Sequence, residues 1–238
     1  MNCLILAAGL GSRLRGISDS KPLTPVGGIP LIEHVIRRAW AGGATRVLVV
    51  TGHEAARVEP FLAELQFRMA LPIGWERVED WTKPNGHSVL AGAEVLTGDY
   101  LLSMSDHLFD PEIVSLLLAR RGKGTTVAVD RTLSGPLLDI DDATKVAVAE
   151  DGRIVRIGKA LTDYNAIDTG LFLATPALAE AIRAAIAAGG SGSLSEGMQR
   201  LADAGLAATV DIGESRWIDV DSPAMLELAE VFVRDSVA

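Results

Sequence analysis

Gly9-Leu10-Gly11-Ser12-Arg13 follows the apolar run Leu4-Ile5-Leu6-Ala7-Ala8 and leads on to Lys21-Pro22-Leu23. Glycines at such a point let backbone N–H groups approach phosphate oxygens with no Cβ in the way. Three kinds of loop compete for the pattern. A Walker A loop is excluded, because the lysine and hydroxyl do not follow the second glycine at the required spacing. A dinucleotide fingerprint needs glycine where Leu14 stands, so Gly9 and Gly11 match it only in part. The third fits better: a longer loop carrying Arg13 and Lys21 around a triphosphate. A plain strand–helix turn with two surface cations is the bland alternative.

Two carboxylates stand in comparable positions. Asp106 comes just after the apolar run 100–104, and Asp219 follows Trp217-Ile218. Magnesium takes oxygen ligands, commonly one or two carboxylates plus phosphate oxygens and water, so a pair from distant segments suits it. Strand-end aspartates also serve as helix caps, Asp106 for a helix near Pro111 and Asp219 for one near Ser222. Asp221 is a further carboxylate close by. The four histidines, His34, His53, His87 and His107, are not paired at zinc-ligand spacing. His34 falls on a helical pattern, where a structural role is the simpler expectation.

Elements at the right places must position these groups. The runs 4–7, 47–50 and 100–104 read as parallel strands buried on both faces. Between them lie helical patterns: one opened in its first turn by Pro30 and stopped by Gly42-Gly43, a second over about 55–67, and a third through 88–93. Ligands bind at the carboxyl ends of strands in such sheets, which is where the glycine loop and Asp106 fall. In the second half, 145–149 and 153–157 alternate and are joined through Asp151-Gly152, a hairpin signal. A strand over 170–174, a helix over 176–188, a loop over 189–193 before another helix, and a last helix over 224–237 complete the pattern. The expected fold is α/β: a three-layer α/β/α Rossmann-like domain with a mixed, mostly parallel sheet, one domain over 1–238.

Composition bounds the function. The chain has 238 residues, 48% of them hydrophobic, and a net charge of −9. That charge argues against a nucleic-acid partner, which needs a broad basic face. No apolar run reaches the length of a membrane span. The N-terminus lacks a signal peptide's basic region and cleavage site. Cys3 is the single cysteine, so no internal disulfide forms and a cytoplasmic setting is expected.

The same residues resemble the nucleotide-diphospho-sugar transferase superfamily, whose pyrophosphorylase members carry an Ala-Ala-Gly-x-Gly-x-Arg loop and a downstream lysine. Matching landmarks run along the whole chain: Asn85-Gly86-His87-Ser88, Ser105-Asp106-His107, Lys159, Asp168-Thr169-Gly170 and Trp217-Ile218-Asp219. Within it, the stretches 83–88, 104–107, 143–145 with 157–159, and 167–170 are most similar to the CTP:inositol-1-phosphate cytidylyltransferases. The resemblance implies a GT-A-type nucleotidyltransferase fold, Mg2+ as cofactor on Asp106 and Asp219, and small-molecule partners only, a nucleoside triphosphate and a phosphorylated polyol. It implies nucleotide contacts from Leu6, Ala7, Ala8, Gly9, Gly11, Ser12 and Arg13, and from Lys83, Asn85, Gly86 and Ser88. Lys159 matches the lysine that holds a sugar phosphate, and Asp168, Thr169 and Gly170 face it. Lys145, His107 and His87 are further expected contacts. The glutamate that usually precedes the phosphate lysine, and holds sugar hydroxyls, is Gly158 here, which disfavours an ordinary hexose.

The reaction so implied is transfer of CMP from CTP to inositol 1-phosphate. Its nucleophile is an already anionic phosphate oxygen, so no general base is required. What it needs is positioning and charge neutralisation. Arg13 is expected on the leaving pyrophosphate and Lys21 on the charge growing at the α phosphorus. Phosphocholine cytidylyltransferase, hexose-1-phosphate and molybdopterin-type nucleotidyltransferases, and a catalytically silent nucleotide sensor on the same fold are the alternatives. A choline site would show an aromatic cage, for which Trp75, Trp81 and Tyr164 are the candidates.

Overall fold

A computed structural model describes residues 1–236 except Arg121, Lys123 and Pro136. In chain order, β1 (Asn2–Ala7) is followed by two 3-10 turns, Ser12–Leu14 and Lys21–Leu23, then by β2 (Pro25–Val26) and β3 (Ile29–Pro30). Next come α1 (Leu31–Ala41), β4 (Arg46–Thr51), α2 (Ala55–Met69), β5 (Ile73–Arg77), α3 (Asn85–Val95) and β6 (Tyr100–Met104). The ribbon strand β7 (His107–Phe109), α4 (Glu112–Ala119), β8 (Thr125–Asp130), β9 (Lys145–Val148), β10 (Ile154–Gly158) and β11 (Ala166–Ala174) follow. The chain closes with α5 (Pro176–Ala187), α6 (Leu194–Asp203), β12 (Ala207–Asp211), β13 (Trp217–Asp219) and α7 (Pro223–Asp235).

The main sheet runs β10-β9-β11-β6-β1-β4-β5, with β8 on β11 and β12 on β8. Its first half is parallel, β1 lying between β4 and β6. β11 turns the direction: it is antiparallel to β6, β8 and β9. Side chains alternate across β1, so Cys3, Ile5 and Ala7 enter one core while Leu4 and Leu6 enter the other. Val35 and Ile36 of α1, Leu62 of α2, Ile113 of α4 and Phe232 of α7 fill the first core. Val89 of α3, Ile182 of α5 and Met198 of α6 fill the second. These are the three expected layers.

Some boundaries differ from expectation for local reasons. Pro30 is the cap of α1, not its first turn, and α3 begins at Asn85, so Ser88 lies within its first turn. Neither aspartate is a cap. α4 has Pro111 at its N-cap with no side-chain cap bond, and α7 is capped by Ser222, whose hydroxyl accepts from Met225 N–H. The expected helix end at Val237 lies outside the described residues. The 145–158 hairpin forms as expected, turning where Gly152 adopts φ +83°.

Candidate active site

β1 delivers the glycine loop at its carboxyl end, as β6 does Asp106. Gly11 takes a left-handed φ of +61°, and a Cβ there would collide with the Lys21 side chain. Its absence lets the loop fold over Lys21 and aim the ammonium inward. Asp219 arrives by a second route. The short ribbon β13–β7 pairs Asp219 with His107, and Val220 N–H donates to Asp106 C=O at 2.9 Å. Residues over a hundred positions apart thereby share one small volume.

The Lys21 ammonium contacts the Asp106 carboxylate and stands 3.9 Å from Asp219 Oδ1. Burial opposes its charge, but Asp106 and Asp219 outweigh that and raise its pKa above the ordinary lysine value. His107 Nδ1 bonds Thr169 C=O at 2.7 Å, and its Nε2 faces Asp219 Oδ2 at 3.4 Å. Burial pushes the imidazole down, yet Asp219 and Asp106 lift it to about 10. The two ring nitrogens thus link Thr169 C=O to Asp219. Asp219 is held the other way: burial raises it, and His107, Lys21 and Arg13 bring it down to about 2.

These groups fit a divalent cation. One atom each from Asp106, His107 and Asp219 lies within 4.8 Å of the others, and the same holds for Asp142, Asp219 and Asp221. Asp219 Oδ1 is buried with no hydrogen-bond partner among the described residues, an acceptor that a hard cation satisfies. His107 Nδ1 is engaged by Thr169 C=O, and the carboxylates offer the oxygen ligands that a hard cation takes.

Two cavities meet here. The first, of about 260 Å3, lies against the glycine loop and α3 and is lined by Leu6, Ala8, Gly9, Gly11, Trp81, Lys83, Asn85 and Ser88. The second, also about 260 Å3, opens toward β9–β11 and is lined by Arg13, His107, Asp142, Lys159, Asp168, Gly170, Trp217, Asp219 and Asp221. Lys21, Asn85, Met104 and Asp106 line both. Across the second cavity, Asp142 bridges Arg13 at 2.7 Å and Lys159 at 2.8 Å, and Arg13 also meets Asp221 at 2.7 Å. Asp168 is lifted to about 6 by burial, against the Gly170 N–H it accepts.

Several expected contacts have other duties. Thr169 is buried and its hydroxyl donates to Ala128 C=O at 2.9 Å, so it offers a ligand nothing. His107 holds Asp219 and leaves no free nitrogen for a substrate. Gly170, at φ +77°, is glycine because a Cβ would strike the His107 ring. Gly86 is glycine because a Cβ would strike Gly192 C=O, a packing demand between α3 and the 189–193 loop. His87 bonds Ser191 C=O at 3.3 Å in that same loop. Ala7 is buried and Ser12 exposed, and neither lines either cavity. Lys145 also lines neither; its ammonium donates to Lys159 C=O at 3.1 Å and steadies that lysine's backbone. Of the aromatics, Trp81 stacks edge-on against His53 beside the glycine loop, and Tyr164 lies under Lys145. Trp75 belongs to the edge strand β5. They form no cage. Asp142 escaped sequence reasoning altogether, since it lies in the irregular stretch 137–144.

Residues 3–204 match the model of the MobA-like NTP transferase domain. The chain belongs to this family. It is 35% identical over 232 residues to the "Bifunctional IPC transferase and DIPP synthase" of Rubrobacter xylanophilus, covering 96% of this chain and 51% of that protein. A protein of the same name from Thermococcus kodakarensis is 33% identical over 237 residues, 98% of this chain and 51% of that one. The chain thus spans about half the length of these curated relatives. In fold it is similar to the inositol-1-phosphate CTP transferase from T. maritima, with a TM-score of 0.87 at 24% identity over 98% of this chain and 95% of that one. A UDP-glucose pyrophosphorylase complexed with UDP-glucose superposes at a TM-score of 0.80, with 18% identity and 98% of each chain covered. The architecture is that of nucleotidyltransferases. Among the described residues, no helix is long and apolar enough to cross a membrane.

Proposed function

We propose that the chain transfers CMP from CTP to inositol 1-phosphate, forming CDP-inositol and releasing pyrophosphate. The observation that carries this is the junction of the two cavities, where Lys21 and Asp106 line both. A triphosphate in the glycine-loop cavity and a phosphate monoester beside Lys159 meet there. The names of the half-length relatives and of the T. maritima enzyme support CTP and inositol 1-phosphate as the pair.

In the reaction an oxygen of the acceptor phosphate forms the new bond to the α phosphorus, and the bond from that phosphorus to the β-phosphate oxygen breaks. The electron pair leaves with pyrophosphate. Lys159 holds the incoming phosphate and Lys21 meets the charge that grows at the α phosphorus. Arg13 and the loop amides hold the leaving group. No side chain needs to take a proton from the nucleophile, and Asp168, in the acceptor cavity, is free to accept a ring hydroxyl. Asp106 and Asp219 would hold magnesium, which would supply neutralisation of the converging phosphates. His107 keeps Asp219 ionised and aimed. Buried, unpaired Cys3 fits a reducing compartment such as the cytoplasm.

A pyrophosphate-release screen tests the assignment, crossing the four common nucleoside triphosphates with inositol 1-phosphate, phosphocholine and hexose 1-phosphates. Release is expected with CTP and inositol 1-phosphate. Turnover confined to a hexose phosphate or to phosphocholine would overturn the acceptor, and no release from any pair would overturn the activity.

A further inference from the structure

Arg13 and Lys159 are the cations assigned to the two substrates, and in the free protein one carboxylate already joins them. Asp142 places Oδ2 at 2.7 Å from Arg13 Nη2 and Oδ1 at 2.8 Å from Lys159 Nζ. Both of its oxygens are thereby spent on groups that a phosphate must reach. Burial would raise the Asp142 pKa, but Arg13 and Lys159 hold it below the ordinary carboxylate value. Arg13 has a second partner, Asp221, so losing Asp142 does not leave it bare. Asp142 is only partly covered, and Lys159 is more than half exposed, so the bridge is open to exchange with solutes.

We propose that Asp142 determines specificity for a dianionic acceptor, its carboxylate occupying the place on Lys159 where the acceptor phosphate will sit and yielding only to a more highly charged anion. This rests on the nucleotidyltransferase function proposed above. A monoanion from solution that displaced Asp142 would exchange one carboxylate-like contact for another. It would also lose the advantage of a group already tethered at the site. A phosphate monoester carries close to two negative charges at neutral pH and three acceptor oxygens, so it can meet Lys159 more strongly than a carboxylate does. The unphosphorylated polyol brings no charge and leaves the bridge intact.

Calorimetric titration of the whole chain with inorganic phosphate, and separately with acetate and nitrate, tests this without requiring turnover. At about pH 8 the phosphate is dianionic. Wild-type protein is expected to bind phosphate and to ignore the monoanions. Asp142→Asn should bind phosphate about tenfold more tightly, the scale of one lost competing ion pair in a partly covered site, and should admit acetate and nitrate. Asp142→Glu, which restores the charge, should exclude the monoanions again, an outcome that a purely structural role would not produce. Asp142→Ser serves as the second neutral variant if the amide disturbs the 137–144 stretch, with melting temperature as the fold check. Phosphate binding that weakens in both neutral variants, or monoanions still excluded from them, would overturn the proposal. A chain that binds these anions as stated but makes no nucleotide product would instead overturn the assigned reaction alone.

Discussion

Lys21 is largely covered and set against two carboxylates, an expensive place for an ammonium unless charge has to be delivered there. Replacing Lys21 or Asp106 by alanine is expected to lower kcat by about a hundredfold or more, the scale of losing one preorganised electrostatic group. Folded variants retaining full turnover would contradict it. Lys159→Ala should behave differently, raising KM for the phosphorylated acceptor while the CTP dependence changes little; an unchanged acceptor titration removes Lys159 from the site. That Arg13, Lys21, Asp106 and Asp219 belong together was legible from the glycine-loop pattern joined to the family resemblance, and the structure brings the four side chains to one place. Asp142 was not, because nothing in an irregular stretch says which carboxylate will fold onto which cation. Thr169 misled for the opposite reason. Its hydroxyl sits in a motif, but the strand turns it toward Ala128 C=O.

The elements explain how groups so far apart in sequence are held within a few ångströms. Two glycines do much of this, Gly11 making room for Lys21 and Gly170 for His107, each at a positive φ. Gly11→Ala and Gly170→Ala should each cost about 1 kcal/mol or more from backbone strain alone. Activity should fall further than stability, since the intruding methyl pushes on a site residue. Thermal melts paired with turnover would check this, and full activity in either variant would count against the packing described. β1, β4 and β6 were readable as apolar runs, and the 145–158 hairpin from its Asp-Gly turn. β5 was missed because Gly74, Glu76 and Arg77 break up its apolar content at the sheet edge. The β13–β7 ribbon has three residues in each strand, too few for any periodicity to register.

Over the whole molecule the net charge of −9 does not prevent Arg13, Lys21 and Lys159 from converging among the site's carboxylates, because the local field depends on convergence and not on the total. Away from the site, buried Glu33 receives Arg37 at 2.6 Å and Arg68 at 2.7 Å. Burial would raise its pKa, but the two guanidiniums outweigh that and hold it below the ordinary value. The unfolded chain therefore takes up this proton first as the pH falls. The stabilisation is complete above the unfolded value of about 4.3 and disappears as the pH drops through the lower folded value. The melting temperatures of wild type and Glu33→Gln should differ most near neutrality and converge in acid; a gap independent of pH would exclude the ion pairs as its source. The most direct test of the central claim is Mn2+ binding followed by electron paramagnetic resonance in the presence of CTP. Asp106→Asn and Asp219→Asn should each weaken it by at least about tenfold, whereas wild-type affinity in both variants would show that these carboxylates do not share an ion.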